Sequence, residues 1–312
     1  MLDSEPKSPQ KQEQQSSLLG EDQFRAILLI GLAFASIVLC TEFFLATAPP
    51  GPKIFSFFQE DVVPKTSVSI SGVSGELKAY PWSQPGILIN GTIAVAGSGA
   101  SPVQVTLQQQ VYPGTISFQP VLPKAELSQG RTYKVDVSLY FPSTLNFSSF
   151  NLDTTTGNIE VTGVTASTIS IQTTSGSITA NNLQSSDIQL RSLTGPVQAT
   201  NVAANTLSAS STEGNVQIKL SIVKQGASYF GNSVHGMVDF YVPPASSFKV
   251  TAHSQFVGHA GFYSGFTDCQ TTYTQQTLAG TVFDSTFTAT CGTSSAIITL
   301  GSISGDATIT RG

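Results

Sequence analysis

The sequence predicts an all-β fold, a parallel β-solenoid (β-helix) with coils of about nineteen residues, preceded by one transmembrane helix. Three observations carry this reading. Residues 150–219 repeat every nineteen residues, each repeat alternates apolar and polar side chains, and one long apolar run lies near the N-terminus. A fixed period near twenty residues marks stacked supersecondary units.

The repeat holds register in several columns. Gly157, Gly176, Gly195 and Gly214 are each followed two residues later by Ile159, Ile178, Val197 and Val216. Phe150, Ile169, Ile188 and Leu207 form a column ahead of the glycines, and Leu152, Ile171, Leu190 and Ala209 form another. Val161, Ala180, Ala199 and Ile218 complete the set. The period of two within Ile169–Thr173 and Ile178–Ala180 gives each copy two short strands with one inward face. The glycine between them marks a tight corner. At the other corner Asn182 and Asn201 take the place of Gly163, and Asn is the next residue after Gly to tolerate a left-handed conformation. The expected arrangement has Ile, Val, Leu and Ala inside and Ser, Thr, Gln and Asn outside.

The rest of the chain is read in order. Residues 1–25 are polar and aperiodic, a disordered cytoplasmic tail. Leu18-Leu19 after Glu13 loosely matches an acidic dileucine sorting signal, with the acid one residue too far away. Residues 26–48 are a signal-anchor helix. Its apolar run Ala26–Thr47 spans roughly 33 Å as a helix, enough for a bilayer core. Glu42 is its only charge, and Pro49, Pro50 and Pro52 end it. A cleavable signal peptide with Ala46-Thr47-Ala48 as its cleavage site is the rival reading. Residues 49–65 read as a juxtamembrane linker, in which Ile54, Phe55, Phe57 and Phe58 either sit at the membrane interface or pack at the base of the domain.

Residues 66–312 read as an extracytoplasmic domain. Strands are expected around Val68–Ile70, Glu76–Ala79, Ile87–Ile89, Thr92–Val95, Val103–Leu107 and Tyr133–Phe141. The proline-ended strand Val137–Pro142 echoes Val238–Pro243, so similar strand–proline–strand units flank the coils. Within 254–294, aromatics interleave with glycines, and Cys269 and Cys291 stand equidistant from Gly280. Residues equidistant from an antiparallel turn face each other within disulfide reach, which predicts a Cys269–Cys291 bridge closing this elaboration. The bridge would pin an aromatic flap over an open strand edge. Ile297–Leu300, Gly305 and Ala307–Ile309 repeat the strand–Gly–strand pattern of the coils.

These stretches resemble the putative-adhesin family of β-solenoid domains, many of them membrane-tethered and of unknown molecular function. The matching residues are Val68–Leu77, Tyr133–Pro142, the four Gly-centred coils, Val238–Val250 and Leu300–Ile309, and the repeated motif is clearest at Ile169–Ala180. The resemblance implies a parallel solenoid and assigns no catalytic residue. The segment closed by Cys269 and Cys291 has no counterpart in that pattern.

Composition narrows the function. Only 11% of the 312 residues are charged, against roughly 25% in ordinary soluble domains. A net charge of −5 and the lack of any Lys/Arg run argue against nucleic acid as a partner. Asn90-Gly-Thr92 and Asn146-Phe-Ser148 are N-glycosylation sequons. With the predicted bridge, they place the domain outside the cytosol, extracellular or lumenal, and the N-terminus inside. No cofactor motif and no zinc-spaced Cys/His set occurs, and His235, His253 and His259 match no ligand spacing. The outward column Asp153, Gln172, Arg191 and Ser210 has one carboxylate, with Glu160 on the other strand of the same coil, whereas a glycosidase needs a facing pair. The reading is therefore a single-pass, membrane-anchored, non-enzymatic scaffold or adhesion module. Its partners are the membrane, through Ala26–Thr47, and an extracellular glycan or protein. The alternatives are a carbohydrate-active β-helix enzyme and a solenoid that polymerises end to end.

Overall fold

An alternating strand buries one face only, and a single short coil cannot close a core by itself, so the repeats must stack. The computed structural model describes residues 51–60, 62–97, 104–112, 114–124, 130–256, 258–262, 267–278, 280–293 and 295–311. The expected tail (1–25) and signal-anchor helix (26–48), with Cys40, lie outside them. No helix among the described residues is long and apolar enough to cross a membrane.

The described chain is all-β. Its first strands are β1 (Lys53–Gln59), β2 (Ser67–Ser74), β3 (Leu77–Trp82), β4 (Ile87–Ala96), β5 (Thr106–Tyr112), β6 (Thr115–Val121) and β7 (Thr132–Pro142). The repeats supply β8 (Asn146–Thr156), β9 (Ile159–Thr162), β10 (Thr165–Ser175), β11 (Ile178–Ser192), β12 (Val197–Ala203), β13 (Thr206–Ser211) and β14 (Val216–Leu220). There follow β15 (Ser228–His235), β16 (Val238–Val242), β17 (Phe248–Gln255), β18 (Ala260–Phe262), β19 (Cys269–Leu278), β20 (Thr281–Cys291), β21 (Ile297–Ser304) and β22 (Ala307–Arg311).

These strands form two ladders joined by the long β11. The first runs β5–β6–β2–β8–β10–β11–β13–β15–β21–β17–β20–β19. The second runs β1–β4–β7–β3–β9–β11–β12–β14–β16–β22–β18. Pairing is parallel except at the tips, where β1–β4, β4–β7, β5–β6, β17–β20 and β19–β20 are antiparallel. The inner faces of both ladders share one apolar core.

The nineteen-residue register is the pairing register. Ile169 lies between Phe150 and Ile188, which in turn faces Leu207, and Ile178 lies between Ile159 and Val197. All these side chains are buried. Asn182 and Asn201 turn the corner at φ 56°, close to the 71° of Gly163. The Asn201 amide donates to Asn182 Oδ1 at 3.0 Å, so the corner residues also bond coil to coil.

The glycine corner does more than turn the chain. Gly75, Gly157, Gly176, Gly195, Gly214, Gly236, Gly305 and Gly258 stack in that order along the fold, and a Cβ on any but the first would overlap the carbonyl of the glycine before it. Each carbonyl from Gly157 onward accepts a hydroxyl from the neighbouring coil. Thr173 donates to Gly157 at 3.0 Å, and Ser192, Ser211 and Ser233 donate to Gly176, Gly195 and Gly214 at 2.8 Å. Ser302, Ser254 and Ser285 continue the series on Gly236, Gly305 and Gly258. These hydroxyls are buried. This corrects the expectation that Ser and Thr lie outside: Thr173 is two residues beyond Ile171, in phase with the core, and its hydroxyl is satisfied there by a carbonyl that the corner exposes.

The tips depart from the repeat. The first coil of the domain, β2–β3, lies between β6–β7 and β8–β9, and the last, β21–β22, lies between β15–β16 and β17–β18. The segment expected as a linker over 49–65 contains β1, which pairs with β4. Phe55 stacks on Phe118 with ring centroids 5.5 Å apart and packs with Phe57 against the core, while Ile54 and Phe58 are exposed. Alternation decides this, because a strand that buries Phe55 and Phe57 must turn Ile54 and Phe58 outward.

Gly176→Ala should destabilise the domain by about 3 kcal/mol or more, because the new methyl meets backbone rather than a movable side chain. Ile178→Asp should be comparably harmful, since it buries an unpaired charge, whereas Gln172→Asp on the outer face should stay within about 0.5 kcal/mol of wild type. Denaturant melts of the three variants check the ranking; equal losses at 172 and 178 would contradict the register.

Candidate binding face

Catalysis requires titratable groups that converge, so their placement comes first. Asp153, Gln172, Arg191 and Ser210 are consecutive neighbours across β8, β10, β11 and β13. Glu160 pairs alongside Thr179 in the second ladder, so it faces out from the other sheet and cannot join Asp153. The histidines are dispersed: His253 lies 3.2 Å from Asp284, the His259 amide donates to Asp306, and His235 pairs with Ser304. Among the described residues no three His, Cys, Asp or Glu side chains gather as a metal site would need. An open cavity of about 550 Å³ is lined, among the described residues, by Gln59, Val62, Val63, Val111, Tyr112 and Ile116, none of them an acid or a histidine.

What the fold does assemble is a pair of extended outer faces. On the second ladder, cross-strand register aligns Ser56, Asn90, Ser138, Lys78, Glu160, Thr179, Gln198 and Gln217 in one row. Polar side chains bond along the stack: Gln198 Nε2 donates to Gln217 Oε1 and Thr200 Oγ1 to Asn181 Oδ1, both at 3.0 Å. Each amide so used needs no charge to hold it, which accounts for a sheet surface with few charged residues.

Beside that row lies a different one. Phe58, Leu88, Tyr140 and Tyr80 are direct neighbours across β1, β4, β7 and β3. Tyr80 and Tyr140 have ring centroids 6.3 Å apart, and Trp82 lies 5.8 Å from Tyr140 and 6.2 Å from Phe58. Trp82 Nε1 donates to the Gly86 carbonyl at 2.8 Å, which fixes the indole. Desolvation, and then the hydrogen bond to Glu160, push the Tyr80 phenol up to about 12. Lys78 forms an ion pair with Glu76 at 3.0 Å, and that carboxylate raises its pKa. Sequence reading missed this cluster because its members come from four strands, and only the register of β1, β4, β7 and β3 puts them together.

The expected disulfide is present. Cys269 and Cys291 face each other across β19 and β20 with Cα atoms 4.4 Å apart. A bulge between Gln276 and Thr277 adds the residue that makes the two cysteines symmetric about Gly280. The hairpin extends the first ladder by pairing β20 with β17. It thus covers the edge of β17, as expected of the flap, but leaves β19 as a new outer strand. Phe262 packs on Phe287 with ring centroids 5.1 Å apart, while Tyr263 and Phe266 lie outside the described residues. Of the two sequons, Asn90 sits in mid-strand on the outer face and Asn146 is exposed at the start of β8.

A family model of the toastrack domain DUF4097 matches residues 63–310. Among solved structures, the chain is similar to one described as a "putative cell adhesion protein" from Clostridium sporogenes ATCC 15579, at 11% identity and TM-score 0.37, covering 84% of this chain and 100% of that one. It is similar to a "putative adhesin" from Bacteroides fragilis NCTC 9343, at 14% identity and TM-score 0.40, covering 84% and 98%. A "putative lipid binding protein" from Parabacteroides distasonis ATCC 8503 matches at 11% identity and TM-score 0.36, covering 84% and 97%. No curated protein is similar enough to be matched.

Two measurements check this geometry. Replacing both Cys269 and Cys291 with Ser should cost about 3 kcal/mol in denaturant unfolding, the loop-entropy value for a closed loop of this size. Because the Tyr80 phenol is raised from 10.0 to about 12, its contribution to stability is full below pH 10 and is lost as pH rises toward 12. An ultraviolet pH titration should show a late-ionising phenol that disappears in Tyr80→Phe.

Proposed function

The chain belongs to the DUF4097 toastrack family, and on that premise we propose that it is a membrane-anchored, non-enzymatic surface scaffold or adhesion module held outside the cytosol. The observation that carries the proposal is the pair of outer faces, extended over many strands and lined largely by uncharged polar side chains, on which, among the described residues, Asp153 and Glu160 do not meet and no metal-site cluster gathers. A surface of this kind presents hydrogen-bonding side chains to a glycan or protein over many strands, whereas an enzyme concentrates its chemistry in a cleft. The apolar run Ala26–Thr47 supports the anchor, since its length fits a bilayer. The Cys269–Cys291 bridge supports an oxidising compartment, where structural disulfides persist. Asn90 and Asn146, both within sequons, agree with the same side of the membrane.

End-to-end assembly has one specific observation in its favour. The outer strands of the first ladder, TLQQQVY in β5 and CQTTYTQQTL in β19, contain no charged residue. Edge strands commonly carry charges that block pairing with another chain.

The full chain, made in a eukaryotic secretory pathway, should gain gel mobility on glycosidase treatment, and cells displaying it should bind a glycan array or a second cell surface. Unmodified Asn90 and Asn146, both reached by a cytosolic labelling reagent in intact cells, would reverse the topology.

A further inference from the structure

The aromatic row gathers four rings, Phe58, Trp82, Tyr140 and Tyr80, on one outer face. Phe58 is 49% exposed, and Leu88, Tyr140, Tyr80 and Trp82 are half-buried on the same face. Aromatic and apolar side chains gathered on a surface otherwise built of polar residues mark a place where something packs. Asn90 stands beside them. It lies two residues from Leu88 on the same face of β4, with the small residues Ser56 and Ser138 directly across on either flank. Tyr140, two residues on from Ser138, is its diagonal neighbour, within reach of a long group attached to the Asn90 side chain.

We propose that the row is a carbohydrate shelf, and that its occupant is the glycan carried by Asn90 of this same chain. The chemistry of the face selects this class of ligand. A pyranose ring offers a patch of C–H groups that packs on the electron-rich faces of aromatic rings, and hydroxyls at its edges that bond to polar neighbours. The shelf has both kinds of partner, with Trp82, Tyr140, Tyr80 and Phe58 as rings and Glu160, Lys78 and Ser138 in the adjoining row. The direction along the sheet is also set. On the far side of Asn90 the row is Ile54, Thr92 and Asp136, and Asp136 is already engaged with Lys134 at 3.0 Å and with the Glu76 amide at 2.7 Å. Sugar rings leaving Asn90 therefore find a cluster of aromatic rings on one side, and on the other a single exposed aliphatic side chain, Ile54, beside a closed polar pair. The attachment itself is an ordinary displacement. The Asn90 amide nitrogen forms the bond to the anomeric carbon of a lipid-diphosphate-linked oligosaccharide, the C–O bond to the diphosphate breaks with its electron pair, and the amide proton goes to a base of the transferase.

The inference rests on the extracytoplasmic reading, and the test separates the two. Trp82 is the only tryptophan of the chain and lies within the shelf, so its fluorescence reports what covers the row. The full chain purified from a eukaryotic secretory host is mapped for glycans, and its emission and acrylamide quenching are followed before and after glycan removal from the folded protein. The expected result is a sugar on Asn90 whose removal shifts Trp82 emission to the red, raises quenching and lowers Tm by about 2–4 °C. Asn90→Gln and Thr92→Ala, which abolish the sequon in different ways, should reproduce the shift, and Asn146→Gln should not. A glycan on Asn90 whose removal leaves Trp82 unchanged would overturn the shelf. So would sugar on Asn146 with Asn90 bare, a result that leaves the topology standing. Sugar on neither would overturn the shelf, and the topology falls with it only where both asparagines are also reached by a cytosolic labelling reagent in intact cells.

Discussion

The architecture depends on how closely the corner backbones approach one another. At each glycine corner the carbonyl of one coil lies where a side chain of the next would be, so only a residue without a Cβ can hold the position. The same approach turns that carbonyl inward, away from solvent, and a buried carbonyl must find a donor. Thr173, Ser192, Ser211 and Ser233 supply it from the neighbouring coil. Glycine and hydroxyl are thus two halves of one requirement. The apolar columns drive the coils together, and the corner fixes the register in which they stop.

That requirement explains what could be read from the chain beforehand. Apolar columns and glycines recur at fixed spacing because each residue meets its own counterpart in the next coil, so Phe150, Ile169, Ile188 and Leu207 are visible as a pattern and stack as predicted. The buried hydroxyls were equally periodic, but Ser and Thr read as surface residues when polarity alone is used, and only the inward carbonyl reveals why they belong inside. The disulfide was legible from symmetry about Gly280, although a bulge between Gln276 and Thr277 is what makes that symmetry real.

The tips were not legible, for a topological reason. Repeat logic places consecutive segments side by side, yet β2–β3 pairs with strands separated from it by a hairpin and a long connection. The row made by Phe58, Leu88, Tyr140 and Tyr80 depends on that rearrangement, together with β1, which has no repeat counterpart. A surface feature built from non-repeating, antiparallel additions leaves no periodic trace. The aromatic face is thus the part of the chain least determined by the repeat.

The placement of the first and last coils carries a mechanical consequence. In a simple stack the end of the chain is also the end of the fold, and a pull there peels one strand at a time. Here β21–β22 is clamped by parallel neighbours on both flanks, and β2–β3 is held in the same way. Load applied through the C-terminal strand β22 must shear it out from between β16 and β18, breaking both rows of hydrogen bonds at once, whereas at the other end β1, paired only with β4, is met first. At the β22 end unzipping becomes shearing, and tension entering there is resisted by two neighbours at once.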